Sequence, residues 1–148
     1  MAQFRQAIEL NPNFAAAHGY LGYPLAFDGQ SDEAIASLSL AIRLSPHDRQ
    51  NPIFMAGIAV AHYLARRYDQ AVDWARKAVQ QGPSITGIHR ILIASLAQAG
   101  QIEESRAMLA HLREMQPELS LAWIERMVPY TAEQMPHFLD GMRKAGLT

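Results

Sequence analysis

Prolines at positions 12, 46, 83 and 117 each close an apolar-periodic stretch, and they stand 34, 37 and 34 residues apart. The chain runs into them as Glu9-Leu10-Asn11-Pro12, Arg43-Leu44-Ser45-Pro46, Gln80-Gln81-Gly82-Pro83 and Glu114-Met115-Gln116-Pro117. Proline lacks the amide hydrogen and its ring blocks the preceding turn, so each of these sites marks the end of a helix. A period near 34 with two helices per unit predicts a stacked helix-turn-helix array. Each helix pair leaves an apolar edge that only the next pair can cover, so stability is spread along the stack.

The periodicity between the prolines predicts the helices. Phe4, Ala7, Ile8 and Leu10 place an apolar face on a first helix over about 2–10. A second, over about 13–28, carries Phe14, Ala17, Leu21, Leu25 and Phe27 inward. Pro24 falls inside it, and because Leu25 continues the apolar face the helix is expected to bend near residues 20–24 rather than end. Gly29 supplies a left-handed residue just past the helix end. Ser31 before Asp32-Glu33 reads as an N-cap with acidic residues in the first turn, opening a helix over about 32–44. The plan recurs as helices over about 52–65 and 69–81, then 85–99 and 102–115, with Gly100 in the place of Gly29. Residues 47–51 hold the three extra residues of the middle period. A shorter helix over about 118–128 stops at Pro129, and a last amphipathic one covers about 132–145. Small residues fall where paired helices must cross closely: Ala34, Ala71 and Ser105 in one place, Ala41 and Ala78 in another, beside the larger Leu21, Ile58 and Leu92.

Bulk composition narrows the function classes. Hydrophobic residues make up 49% and charged residues 18%, too apolar for disorder. Thirteen basic residues against fourteen acidic ones form no basic stripe, which argues against a nucleic-acid surface. With no cysteine there is neither a disulfide nor a thiolate zinc site. The N-terminus lacks the basic and apolar regions of a signal peptide. No apolar run approaches the roughly 20 residues that span a bilayer. A cytoplasmic setting without membrane contact is the expectation.

In its repeat positions the chain resembles the tetratricopeptide repeat family. The matching residues are His18, Leu21-Gly22, Leu25, Ala34, Leu38, Ala41 and Pro46 in the first full repeat. They are Met55, Ile58-Ala59, His62, Ala71, Ala75, Ala78 and Pro83 in the second. In the third they are His89, Leu92-Ile93, Leu96, Ser105, Leu109, Leu112 and Pro117. Phe4, Ala7 and Pro12 match the second half of a repeat, and Trp123 begins a fourth, so the resemblance covers about residues 1–130. It implies an all-α, right-handed superhelix in one domain: a half repeat at 1–12, repeats at 13–46, 47–83 and 84–117, and capping helices at 118–148. Starting on a second helix leaves Phe4 and Ile8 without their intrarepeat partner. This suggests a piece of a longer protein and self-association through that edge. The C-terminal stretch Phe138 to Leu147 resembles the tail of bacterial proteins that join such repeats to a class III nucleotide cyclase or a winged-helix DNA-binding domain. That resemblance implies a regulatory arm of a larger protein.

Catalytic and metal chemistry find no support in the spacing. His18 and His89 hold equivalent repeat positions and are expected to play one packing role at two sites. No His-Glu-x-x-His motif occurs. Ser37, Ser39 and Ser95 lie inside helices with no nucleophile elbow to expose them. Asp32-Glu33 and Glu103-Glu104 sit in first helical turns, where the helix dipole already favours them. The expectation is a module without enzyme activity, metal or cofactor, binding a protein or peptide. The family resemblance implies that the first helix of each pair lines a concave groove. Alignment then assigns partner binding to Tyr23, Phe27, Val60, Tyr63, Leu64, Arg90 and Gln98. The alternative cover for these aromatics is the chain's own C-terminal helix, whose Phe138, Leu139 and Met142 form an apolar face expected to pack on Trp123 or Leu109.

Overall fold

Residues 2–148 are described by a computed structural model. Among them are nine α-helices and no strand: α1 (Ala2–Leu10), α2 (Ala15–Phe27), α3 (Ser31–Leu44), α4 (Asn51–Leu64), α5 (Tyr68–Gln81), α6 (Thr86–Gln98), α7 (Ile102–Met115), α8 (Leu121–Met127) and α9 (Met135–Lys144). α2 with α3, α4 with α5 and α6 with α7 form three antiparallel pairs. α3 packs on α4 and α5 on α6 to join successive pairs. α2, α4 and α6 touch in series along one side, giving an α/α superhelix with first helices lining its inner face. α2 runs through Pro24 to Phe27, so proline does not end it.

The expected crossing residues are buried. Ala34, Ala71, Ser105, Ala78 and Ala41 are all shut off from solvent, with Leu21, Ile58 and Leu92 beside them. Ser105 tolerates a place where its repeat equivalents are alanine because its hydroxyl donates to the Ile93 carbonyl at 2.9 Å. Both equivalent histidines do the same job. His18 Nε2 lies 2.7 Å from the Pro12 carbonyl and His89 Nε2 2.7 Å from the Pro83 carbonyl, each tying a first helix to the loop that precedes it. In the middle repeat Asn51 takes over, donating to the Ser45 carbonyl at 2.8 Å.

The first helix of each full repeat ends in a Schellman turn. Gln30 N–H reaches the Leu25 carbonyl, Arg67 N–H that of His62 and Gln101 N–H that of Leu96. The left-handed residue in these turns is Gly29 (φ 79°), Arg66 (φ 62°) and Gly100 (φ 85°). The middle repeat therefore holds an arginine in a backbone region that glycine adopts without strain. A fourth such turn closes α9, where Leu147 N–H meets the Met142 carbonyl beside Gly146.

Three local expectations change. Ser31 is not an N-cap: it is the first residue of α3, and its hydroxyl donates across the repeat boundary to the Ala61 carbonyl at 2.9 Å. The side-chain cap is made at Ser120, whose Oγ accepts from Trp123 N–H. Phe14 precedes α2 rather than joining its inner face and is 47% exposed. Finally, α1 is not left unpaired. It packs on α2, with Phe4 against Tyr20 at a ring separation of 5.6 Å and Ile8 partly buried. Leu10, at 81% exposure, is what remains of its open apolar edge.

Past the third pair the repeat plan breaks. α8 is only seven residues long and Pro129 follows it closely. The chain then turns back and lays α9 across α6 and α8. The Thr148 carbonyl accepts from Leu121 N–H, tying the end of this segment to the start of α8.

Candidate functional site

Along the inner face, positions one or two turns apart on each first helix project toward the same trough. Tyr23 and Phe27 on α2 are four residues apart, with ring centroids at 5.2 Å. Val60 and Tyr63 follow on α4, and Arg90 and Gln98 on α6. Leu64 lies at the end of α4, partly buried against the main core.

The C-terminal segment enters this trough and divides it. Tyr130 stands 4.8 Å from the Phe27 ring and stacks on Phe138 at 4.5 Å; Phe138 meets Tyr63 edge-on at 6.0 Å. His137 stacks on Tyr63 at 4.5 Å, and its Nε2 lies 2.8 Å from the Tyr68 hydroxyl. An unbroken line of rings thus runs from Tyr23 to Tyr68 through a segment some seventy residues downstream. Polar groups complete the seat. Tyr63 donates its hydroxyl hydrogen to the His137 carbonyl at 2.8 Å and accepts from Gln98 Nε2 at 3.2 Å. Gln98 also donates to Asp140 and accepts from Lys144. Gly141 lies directly against the Tyr63 hydroxyl and Ala94, so α9 approaches α4 and α6 at the one place in its face that has no side chain.

Electrostatics follow from this burial. Desolvation pushes the Tyr23, Tyr63 and Tyr130 hydroxyls up, so all three remain protonated donors at neutral pH. His137 is pushed down, first by desolvation and then by Arg66, with Asp140 opposing. The Lys144 ammonium, hydrogen-bonded to Asp140, pulls that carboxyl below its usual range.

Of the seven residues assigned from the sequence, Tyr63 and Gln98 hold the chain's own α9, and Tyr63 is fully buried beneath it. Leu64 is absent from the open cleft. Tyr23, Phe27, Val60 and Arg90 line a remaining cleft of about 170 Å³, closed at its far end by Tyr130 and Phe138. Tyr23 and Ile53 are shared with a wider, more open depression of about 510 Å³ lined by Phe4, Tyr20, Pro24 and Phe54. Ile53, Tyr130 and Phe138 were not assigned from the sequence. Ile53 precedes the aligned block by a turn and Tyr130 lies outside the repeats, whereas Phe138 belongs to the C-terminal apolar face that the sequence offered as an alternative cover, and it meets Tyr63 there.

Arg90 is the charged group of the cleft. It donates to Gln116 Oε1 at 3.2 Å and its guanidinium lies 5.1 Å from the centre of the Trp123 ring. The ion pairs among the described residues are Arg5–Glu33, Arg67–Asp32, Arg76–Glu104 and Lys144–Asp140, none of which engages it. Burial lowers its pKa, partly offset by Tyr130 and Tyr23. Among the described residues no cluster of three or more His, Asp or Glu side chains is arranged to hold a metal ion. No helix is long and apolar enough to cross a membrane.

Two models of the tetratricopeptide repeat family match the sequence, one at residues 4–36 and the other at 28–84. These are tetratricopeptide repeats. The matched stretch includes the two pairs that carry Tyr23, Phe27, Val60 and Ile53. The solved structure of MamA is similar in fold, with 15% sequence identity and a TM-score of 0.69, over 96% of this chain and 82% of that one. No curated protein matches the sequence.

Proposed function

We propose that this chain is a non-catalytic protein-interaction module that holds an apolar segment of a partner protein in the open half of its groove. The observation that carries this is the continuity of two clefts across Tyr23 and Ile53, which leaves a partly apolar trough uncovered beside a half the chain fills itself. Tetratricopeptide repeats supply a rigid inner surface for such binding without a cofactor. Tyr23, Phe27, Val60 and Arg90 form the contact surface, whereas Tyr63 and Gln98 serve the intramolecular seat of α9. The C-terminal residues that suggested a regulatory arm of a cyclase or winged-helix protein, Phe138, Leu139, Met142 and Leu147, are buried in the chain's own core, which accounts for their pattern. The cytoplasmic setting belongs to this reading and is tested by cell fractionation.

A displayed library of peptides panned on the folded chain tests the site. Selected peptides should lose binding to Ile53→Asp, a change in the first turn of α4 where the helix dipole favours the carboxylate. Peptides that bind the variant as well as the parent would place the contact elsewhere. Self-association through α1 is a second reading, favoured by Leu10 and Phe14 at 81% and 47% exposure. Sedimentation that stays monomeric at high protein concentration overturns it.

A further inference from the structure

We infer that the partner segment is an amphipathic helix presenting two apolar side chains to the twin clefts and an acidic side chain to Arg90. This rests on the groove reading above and specifies its occupant.

The trough has room for two anchors. The narrower cleft suits a single inserted side chain, and the wider one adjoins it across the shared Tyr23–Ile53 wall. Side chains one or two helical turns apart, about 5–11 Å along the axis, meet two adjoining sockets of this kind. An extended strand fits poorly for a reason of hydrogen bonding. The walls are helices whose backbone groups are already paired, so no open row of amides and carbonyls is offered to a strand. Gln50 is already bonded to the Tyr20 hydroxyl, and Arg90 is a donor only. An extended segment would bury its own backbone groups without partners, whereas a helix brings them already satisfied.

The chain supplies its own example. α9 is an amphipathic helix seated in the same trough, and its Phe138 forms the end wall of the narrower cleft. The open half continues that established interface. α9 also shows how the seat handles charge, since Asp140 and Lys144 on it are met by Gln98 of α6. Two turns earlier on α6, Arg90 faces the cleft without an anion. A partly buried guanidinium with only an amide oxygen and a ring for partners gains more from a carboxylate than a solvated one does.

The test uses the full chain and an unconstrained displayed library of peptides about sixteen residues long, roughly four helical turns. Winning peptides should carry apolar residues at i, i+4 or i, i+7 and an Asp or Glu on the same face, and should become helical by circular dichroism on binding. Arg90→Gln, or Glu→Gln in the peptide, should weaken binding about 5–10-fold, with the loss restored by pairing Arg90→Glu with a Lys-bearing peptide. Arg90→Lys separates charge from packing on Trp123 and should retain most of the affinity. Peptides lost on Ile53→Asp but unchanged by Arg90→Gln, or binding without helix formation, overturn this inference and leave the groove reading standing. Peptides indifferent to Ile53→Asp, or a selection that enriches nothing, overturn both.

Discussion

Replacing Gly141 by alanine gives opposite signs for a docked and a free α9. In an exposed helix interior the change stabilises by about 1 kcal/mol, because glycine has the larger entropy to lose. Here a β-carbon would stand 2.5 Å from the Tyr63 hydroxyl oxygen, 3.0 Å from the Ala94 β-carbon and 3.2 Å from the Ala94 carbonyl oxygen. Tyr63 cannot simply swing away, since it is fully buried and bonded to the His137 carbonyl and Gln98. Ala94 belongs to the backbone-fixed middle of α6. Overpacking of this kind costs about 1–3 kcal/mol, and loss of the Tyr63–His137 bond about 1 kcal/mol more. Set against the propensity gain, Gly141→Ala should destabilise by about 1–3 kcal/mol, with roughly 2–4 °C of melting temperature for each. Repeat arrays can open segment by segment, so urea unfolding should be paired with amide exchange along α9, which should lose protection first. A variant that melts higher than the parent, with α9 exchange unchanged, would refute the docked arrangement.

Other outcomes follow from single observations. Arg66→Gly should stabilise by about 0.5–1 kcal/mol in thermal unfolding, because it relieves a left-handed residue at the place where the other repeats carry glycine; an equal loss would show that the Arg66 side chain matters more than its backbone. Ser31→Ala should cost about 1 kcal/mol by urea titration through the lost bond to the Ala61 carbonyl, and Ser31→Asp, which has no hydroxyl hydrogen to donate, should not recover it. His62 and His137 have folded-state pKa values below the ordinary 6.5, so the unfolded chain takes up protons first. Their contribution is full above about pH 6.5 and erodes as pH falls below it. Around His137, Arg66 and Lys144 disfavour the imidazolium, Asp140 favours it, and Tyr63 and Tyr68 offer neutral contacts. His137→Gln should therefore flatten part of the acid-side decline in melting temperature, and an unaltered slope would count against a role for that ring.

The repeat architecture was legible because it is local and periodic. Proline spacing placed the helix ends, and the equivalence of His18 and His89 followed from register alone; the bond each makes to a proline carbonyl came from the structure. Repeat alignment also marked which positions of α2, α4 and α6 face inward. It left occupancy open between a partner and the chain's own C-terminal helix: the apolar face at Phe138 named the second cover, but His137 and Phe138 lie outside the periodic region, so register could not seat them on Tyr63. Side-chain hydroxyls misled at Ser31, where a plausible cap residue has a better acceptor in the neighbouring repeat. Phe14 misled in the same way, since the helix begins one residue after it and its ring falls off the inner stripe. Arg66 was hidden by composition: the turn it occupies was recognised by glycine in the flanking repeats, and its own residue type gives no such sign.

The back-folded helix has a consequence in time as well as in space. Phe27 and Tyr63 belong to pairs that can assemble as soon as residues 15–81 exist, yet their covering rings, Tyr130 and Phe138, lie so much later that the partners of one hydrogen bond are 74 residues apart. From residue 81 to Phe138, at about 5–20 residues per second of synthesis, the aromatic inner face stays bare for roughly 3–11 s on every nascent chain. During that interval the half of the trough that α9 later occupies is as accessible as the half that stays open. A chaperone or a partner helix arriving with the ribosome meets a longer groove than one arriving after release.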